Sequence, residues 1–351
     1  MQVADAQGRP IGTGYANPAS SIVVRLLRRG DRAPDAEWAR GQLRAAVGRR
    51  DQELGAEADA RLVHAEADGL PGLVLERMDG YAVVSPDTLG AEQVLLPWLL
   101  EDIAALGPRG VVLRGLAPSR LHEGLGQELR MLAGEPPGAP LEVREAGIGY
   151  VVDLMTGQKT GHYFDQRANR RRVSSLAAGR RVLDAFAYTG GFALQAAHAG
   201  AREVLAVESS GEACAALRRN AEHNRCDVAV LQENAFDALR RLSAARERFE
   251  LVVLDPPPFA RGRSSLPAAL RAYKEINLRA MRLLPPGGVL CTSSCSHAVS
   301  ADELVLTVRA AAADAGFTGR VLGLYGPDAD HPVRLEIPET DYLHCLFLVK
   351  D

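Results

Sequence analysis

The sequence holds only five cysteines, two tryptophans and three lysines, and it has no long apolar run. Each scarcity excludes something. Five is an odd number and sparse in 351 residues, so a disulfide framework is out. Cys214, Cys226, Cys291, Cys295 and Cys345 also show neither the CxxC nor the Cys/His spacing of a zinc site, and no metal is expected. The longest apolar run, Val94 to Leu100, is interrupted by Pro97 and stopped by Glu101-Asp102. It falls well short of the ~18 residues that a membrane span needs. The start, Met1-Gln2-Val3-Ala4-Asp5, lacks a basic region followed by an apolar one. No signal peptide is expected, and the reading is a cytoplasmic chain with no membrane contact. Charge of one sign is missing too: 41 Lys+Arg against 44 Asp+Glu leaves −3. That balance argues against coating nucleic acid indiscriminately, while leaving room for a local basic groove. What is present is ordinary globular composition, 47% hydrophobic and 24% charged, which excludes disorder, collagen and coiled coil.

Along the chain the pattern changes twice. Residues 1–30 read as short strands (Ile11–Tyr15, Ser21–Leu26) split by turn signals at Gly8-Arg9-Pro10 and Asn17-Pro18. They are too few to bury a core alone. Residues 33–140 mix helix and strand: Pro34-Asp35 opens a helix, strand-like segments follow at Arg61–Glu66, Leu73–Arg77 and Tyr81–Ser85, and a second helix spans about Ala91 to Leu106. This is a small α+β domain, closed by the Gly/Pro-rich stretch 134–140. From about 148 to 351, strands and helices alternate. Strands are expected at Arg181–Ala185, Glu203–Val207, Val228–Leu231, Leu251–Leu254, Val289–Ser293, Val321–Leu324 and His344–Val349. A cap at Asp165 opens the first helix, later ones end at Gly200, Asn224, Gly287 and Gly316, and Ser300…Glu303 is a capping box. The fold class is α/β, a doubly wound, Rossmann-like sheet that binds its ligand beyond the carboxyl ends of the central strands.

Those strand ends carry the chemistry. The first runs Asp184-Ala185-Phe186-Ala187-Tyr188-Thr189-Gly190-Gly191, where adjacent glycines let backbone approach a ligand at a helix N-terminus. The second ends at Glu208-Ser209, a carboxylate suited to both ribose hydroxyls, and the third near Asn234-Ala235, where an amide could meet an adenine edge. GxGxxG is missing, which favours S-adenosylmethionine over NAD. The fourth strand ends Asp255-Pro256-Pro257-Pro258-Phe259, a rigid segment able to grip a flat heterocycle while Phe259 stacks on it. The fifth exits at Cys295, among hydroxyls and beside His297. A thiol there can act as a nucleophile, whereas Cys291 lies within the strand and reads as buried. Before the sheet, 157–172 is dense in donors. Lys159, Arg167 and Arg170 are the candidates for phosphate contact, and Arg171 and Arg172 read equally as a solvated face.

Six signatures in chain order are familiar together: Gly14-Tyr15-Ala16-Asn17-Pro18-Ala19-Ser20, Glu66-Ala67-Asp68-Gly69-Leu70-Pro71-Gly72-Leu73, Lys159-Thr160-Gly161-His162-Tyr163-Phe164-Asp165-Gln166-Arg167, Phe186–Phe192, Asp255-Pro256-Pro257 and Ser294-Cys295-Ser296. The chain resembles the bacterial large-subunit ribosomal RNA cytosine carbon-5 methyltransferases, which join a PUA domain, a central α+β domain and a class I methyltransferase domain. The resemblance implies S-adenosylmethionine as cofactor and large-subunit ribosomal RNA as partner, and leaves a homodimer open. It also implies Cys295 and Asp255 as catalytic residues. Asp184, Phe186, Tyr188, Thr189, Gly190, Gly191, Glu208, Ser209, Asn234, Ala235 and Asp255 then line the cofactor. Two positions depart from the family. Only the last strands of a PUA domain are present in residues 1–30, and Asn234 stands where such enzymes usually offer adenine an acid. Methylation of a nucleobase nitrogen is the alternative, and a nucleophilic thiol is what separates the two chemistries. A non-catalytic RNA-binding assembly factor is a third reading, opposed by the intact Asp184, Glu208, Asp255 and Cys295.

Overall fold

The computed structural model describes residues 1–154, 162–260 and 262–351, and the chain divides into two compact units. The first contains Met1–Arg144 with the segments Val152–Phe164 and Ala329–Thr340. It opens with three antiparallel strands, β1 (Gln2–Ala4), β2 (Pro10–Ala16) and β3 (Val24–Arg29). β3 starts three residues later than the sequence pattern suggests. These strands dock within the unit: the Tyr15 hydroxyl lies 2.7 Å from Thr88 Oγ1, and Asn17 donates to Glu123.

Asp35 caps α1 (Ala36–Leu54), its carboxylate accepting from Trp38 N–H. A five-stranded sheet follows, from β4 (Ala60–His64), β5 (Leu73–Met78), β6 (Tyr81–Pro86), β7 (Gly110–Gly115) and β8 (Glu128–Gly134). β8 was not expected from the sequence, because the alternation that starts at Glu128–Met131 breaks at Leu132-Ala133-Gly134. Between β6 and β7, α2 (Leu96–Ala105) packs with α1 against the sheet. Ala39, Leu43, Ala46 and Val47 of α1 meet Leu62, Leu75, Val84, Leu99 and Ile103 in one core. Segment 329–340 belongs here through a buried polar network. Arg50 pairs with Asp68 at 2.7 Å and donates to the Asp330 carbonyl, while Asp330 accepts from Arg61 N–H and from the His331 ring nitrogen.

A hairpin of β9 (Leu141–Glu145) and β10 (Ile148–Val152) carries the chain into the second unit, which holds Glu145–Val151, Asp165–Asp328 and Asp341–Asp351. Here α3 (Arg167–Ala177), β11 (Arg181–Ala185), α4 (Gly191–His198), β12 (Glu203–Glu208), α5 (Gly211–His223), β13 (Ala229–Gln232), α6 (Ala235–Ala244), β14 (Leu251–Leu254), α7 (Leu266–Leu283), β15 (Val289–Ser294), α8 (Ala301–Ala315), β16 (Gly319–Tyr325) and β17 (His344–Lys350) alternate. The sheet order is β13-β12-β11-β14-β15-β17-β16, parallel except that β17 runs antiparallel to both neighbours. The order reverses between β11 and β14, which opens the crevice where a doubly wound sheet binds ligands. Val182, Leu183, Val252 and Val253 are wholly buried, as strands covered on both faces must be.

Two helix ends differ from expectation. Asp165 does not cap α3; Gln166 occupies that position, and the Asp165 carboxylate is bonded elsewhere. α7 ends at Leu283 rather than near Gly287, because Pro285 and Pro286 cannot continue a helix. Among the described residues, no helix is long and apolar enough to cross a membrane, and no cluster of three potential ligands could hold a metal.

Candidate active site

Phe186 and Tyr188 sit at φ 67° and 49°, a left-handed conformation that side chains rarely adopt. Each costs on the order of 1–3 kcal/mol, so the surrounding structure must over-determine the loop. It does: Ala187 N–H bonds to the Val207 carbonyl, Tyr188 N–H to Glu208 Oε2 at 3.0 Å, and Asn220 Nδ2 to the Thr189 carbonyl. Gly190, at φ 94°, must be glycine, since a Cβ there would also press on Leu217 and Leu194 at 3.0–3.2 Å. The loop delivers the N-terminus of α4, and Ala193 N–H is held by Asp184 Oδ2 at 2.9 Å.

Glu208 accepts from Tyr188 N–H on one oxygen, and from Ser210 N–H (2.8 Å) and the Ser209 hydroxyl (3.3 Å) on the other. The carboxylate is thereby fixed, with lone pairs to spare for a diol. Asn234 caps α6, its Oδ1 accepting from Phe236 N–H at 2.9 Å. An amide oxygen has a second lone pair, so both Oδ1 and Nδ2 can still meet an adenine edge. Ala235, beside it, is buried.

Phe259 sits among other aromatic side chains. Its ring lies 4.8 Å from Tyr273, 5.6 Å from Phe236 and 6.1 Å from Phe186. It packs against these aromatics and remains partly exposed. Phe236 had gone unnoticed in the sequence, since one phenylalanine in an amphipathic helix carries no signal.

The two expected catalytic residues are brought together. Cys295 Sγ lies 3.7 Å from the carbonyl of Pro256, the residue after Asp255, and Cys295 is partly exposed. Its flanks are pinned: Ser294 Oγ donates to the Tyr273 hydroxyl at 2.9 Å, which lies 3.1 Å from Ser296 Oγ. Tyr273, buried on α7, is a positioning residue that sequence reading missed. Cys291, by contrast, is fully buried against Cys345, and burial pushes its thiol well up. Asp255 Oδ1 accepts from Gln166 Nε2 at 2.7 Å. Burial, with the nearby Asp165 carboxylate, pushes the Asp255 carboxyl up to about 7.

That shift has a checkable sign. Between the ordinary carboxylate value of 3.8 and about 7, folded Asp255 holds a proton that the unfolded chain has released. Its favourable share of stability is therefore complete below the ordinary carboxylate pKa and lost as pH rises through about 7. Asp255→Asn should flatten the decline in urea-unfolding stability between pH 5 and 8, and an unchanged slope would contradict the shift.

Arg167 and Arg170 are not an open phosphate-binding face. Both are buried. Arg170 donates from Nε to Glu145 Oε1 at 2.7 Å and from Nη2 to Oε2, and Arg167 pairs with Asp328 at 3.4 Å. Burial opposes the Arg170 charge, but Glu145 more than restores it and holds the guanidinium above its usual range. A Cβ on Gly191 would meet the Arg170 side chain at 3.2 Å, so this arginine buttresses the loop before α4. Lys159 lies outside the described residues.

The pocket fits S-adenosylmethionine. Asp184 is buried with Oδ1 unpartnered among the described residues, an acceptor suited to a cationic amine, and burial pushes its carboxyl well above the ordinary value, with Asp255 adding to the effect. Glu208 suits the ribose diol and the Asn234 amide an adenine edge. The glycines leave room at the helix terminus. Residues 125–331 match the model of the S-adenosylmethionine-dependent methyltransferases, and residues 1–29 that of PUA-like domains. The chain is 38% identical over 290 residues to ribosomal RNA large subunit methyltransferase I of Aeromonas salmonicida, covering 82% of this chain and 73% of that one. The chain belongs to this family. The Erwinia tasmaniensis member is 35% identical over 349 residues, 98% of this chain and 88% of its own. In fold, a Streptococcus mutans protein of the S-adenosylmethionine-dependent methyltransferase class superposes with TM-score 0.83 at 18% identity, over 100% of this chain and 90% of that one. A methyltransferase complexed with SAH superposes with TM-score 0.82 at 19% identity, with the same coverage.

Membership sharpens one expectation for Glu208. Glu208→Ala should weaken S-adenosylmethionine binding by ~1–3 kcal/mol, as charge-assisted bonds to the ribose are lost. Titration calorimetry on the full chain reads this directly, and wild-type affinity would refute the assignment.

Proposed function

We propose that the protein methylates carbon 5 of a cytidine in large-subunit ribosomal RNA, by way of a covalent adduct between Cys295 and the base. The observation that carries this reading is Cys295 Sγ held 3.7 Å from the Pro256 carbonyl, beside Asp255 at the mouth of the cofactor crevice. S-adenosylmethionine, when bound, supplies an electrophilic methyl group on a sulfonium. Carbon 5 of cytosine is too poor a nucleophile to take it unaided. Addition of the Cys295 thiolate at carbon 6 makes the ring an enamine whose carbon 5 is reactive. Asp255, with its raised pKa, donates to ring nitrogen 3 as the thiolate adds. The target base must leave any stack to reach these groups.

Methylation of a ring or exocyclic nitrogen would use the same Asp255-Pro256-Pro257 grip, but it has no task for a partly exposed thiol pinned beside it. A ribosomal RNA substrate places the protein in the cytoplasm. A homodimer would use β16, an edge strand among the described residues, where Val321, Leu322 and Leu324 are exposed. RNA carrying 5-fluorocytidine tests the covalent step, because fluorine at carbon 5 blocks release. A denaturant-resistant adduct mapping by peptide mass spectrometry to Cys295 is expected; its absence would refute the adduct.

A further inference from the structure

We propose that Asp165 is the base that removes the carbon 5 proton after methylation, working beside Asp255 in a carboxylate pair. This rests on the covalent reading above and assigns the step it leaves open. Asp165 lies in a single turn of 3-10 helix, Phe164–Gln166, within the signature that precedes the sheet. Its neighbour Gln166 donates to Asp255 Oδ1 at 2.7 Å. The Tyr342 hydroxyl donates to Asp165 Oδ2 at 2.7 Å, and the Tyr342 ring stacks on His297 at 5.2 Å, two residues beyond Cys295. Asp165 is thus tied to both arms of the site. Its main chain is fixed as well, since its carbonyl accepts from Asp328 N–H at 2.9 Å.

The remaining oxygen decides the role. Asp165 Oδ1 is buried and has no hydrogen-bond partner among the described residues. Leaving a buried carboxylate oxygen without a donor is costly, and a fold keeps one where a substrate group completes it. The Asp165 charge is also close enough to raise the Asp255 carboxyl, second only to burial. Two carboxyls sharing a low-dielectric site divide the labour. Asp255, its carboxyl raised, is the acid toward nitrogen 3, and the base is assigned to Asp165.

The step balances. After methylation, carbon 5 bears both the methyl group and its original hydrogen, and carbon 6 bears the Cys295 sulfur. Asp165 Oδ1 takes the carbon 5 proton, and the C–H electron pair re-forms the double bond between carbons 5 and 6. The carbon–sulfur bond breaks with its pair returning to Cys295 as thiolate, nitrogen 3 gives its proton back to Asp255, and Asp165 later releases its proton to solvent.

RNA tritiated at carbon 5 of cytidine, with unlabelled S-adenosylmethionine, reads this step apart from methyl transfer. In the full chain, Asp165→Asn should cut tritium release by about 10²-fold or more. A denaturant-resistant, methylated protein–RNA adduct should meanwhile accumulate on ordinary cytidine, with calorimetric affinity for S-adenosylmethionine retained. Tritium release at the wild-type rate would overturn the assignment, as would loss of release with no adduct while cofactor affinity is intact. If Asp165→Asn loses cofactor affinity, Asp165→Glu decides: adduct accumulation supports the role, and its absence overturns it. Wild-type protein and 5-fluorocytidine RNA separate the two levels, because failure to form that adduct sinks the covalent reading itself rather than the choice of base.

Discussion

Cys295→Ala should bind S-adenosylmethionine with wild-type affinity and lose methyl transfer to RNA by on the order of 10³-fold or more, the scale at which removal of an essential nucleophile acts. The split follows from the geometry. Cofactor contacts are assigned to Asp184, Glu208 and the 186–191 loop at the ends of β11 and β12, whereas Cys295 leaves β15 with its sulfur toward the Pro256 carbonyl. Cys291→Ala is the matched control. Its thiol is fully buried beside Cys345 and cannot meet a substrate, so the variant should pay in stability and remain active. Methyl incorporation and calorimetry on the same samples read both halves. Appreciable methylation by Cys295→Ala would shift the chemistry to a nucleobase nitrogen.

The second large effect is on stability. Glu145→Ala should destabilise the protein by ~3–5 kcal/mol, the range for breaking one side of a buried ion pair. Arg170 would be left buried without its bidentate partner, and Arg167 would lose a carboxylate at 4.0 Å. Cofactor affinity should fall with it, because Arg170 supports Gly191 at the head of α4. Asp237→Ala breaks the pair with Arg240, whose side chains are 62% and 56% exposed, and should change nothing measurable. Thermal unfolding of the two variants beside wild type makes the comparison. Equal melting temperatures for Glu145→Ala and wild type would contradict the buttress.

What was legible in the sequence shares a physical origin. Glu208, Asp255 and Cys295 stand at the carboxyl ends of apolar strands, and a doubly wound sheet sends every such residue to one crevice. Local pattern sufficed because topology supplies the convergence. Arg167 and Arg170 were misread for the opposite reason. Their spacing on one helix face is local, but their burial depends on Glu145 and Asp328, which lie 25 and 161 residues away. The cap that Asn234 makes was not legible, since it needs the start of α6 to be known. Tyr273 and Phe236 sit in helices with no motif around them, Gln166 lies in a signature that does not show its partner, and only packing reveals their contacts. Segment 329–340 reads as part of the carboxy-terminal domain, yet Asp330 joins Arg50, 280 residues earlier.

The most direct test of the central claim is the identity of the modified nucleoside. Large-subunit ribosomal RNA, from a strain lacking the enzyme, is incubated with the purified protein and S-adenosylmethionine labelled on the methyl group, digested to nucleosides and read by mass spectrometry. The account predicts label in 5-methylcytidine, absent when Cys295→Ala replaces the wild type. Label on a ring or exocyclic nitrogen, or label that survives loss of the thiol, would contradict it.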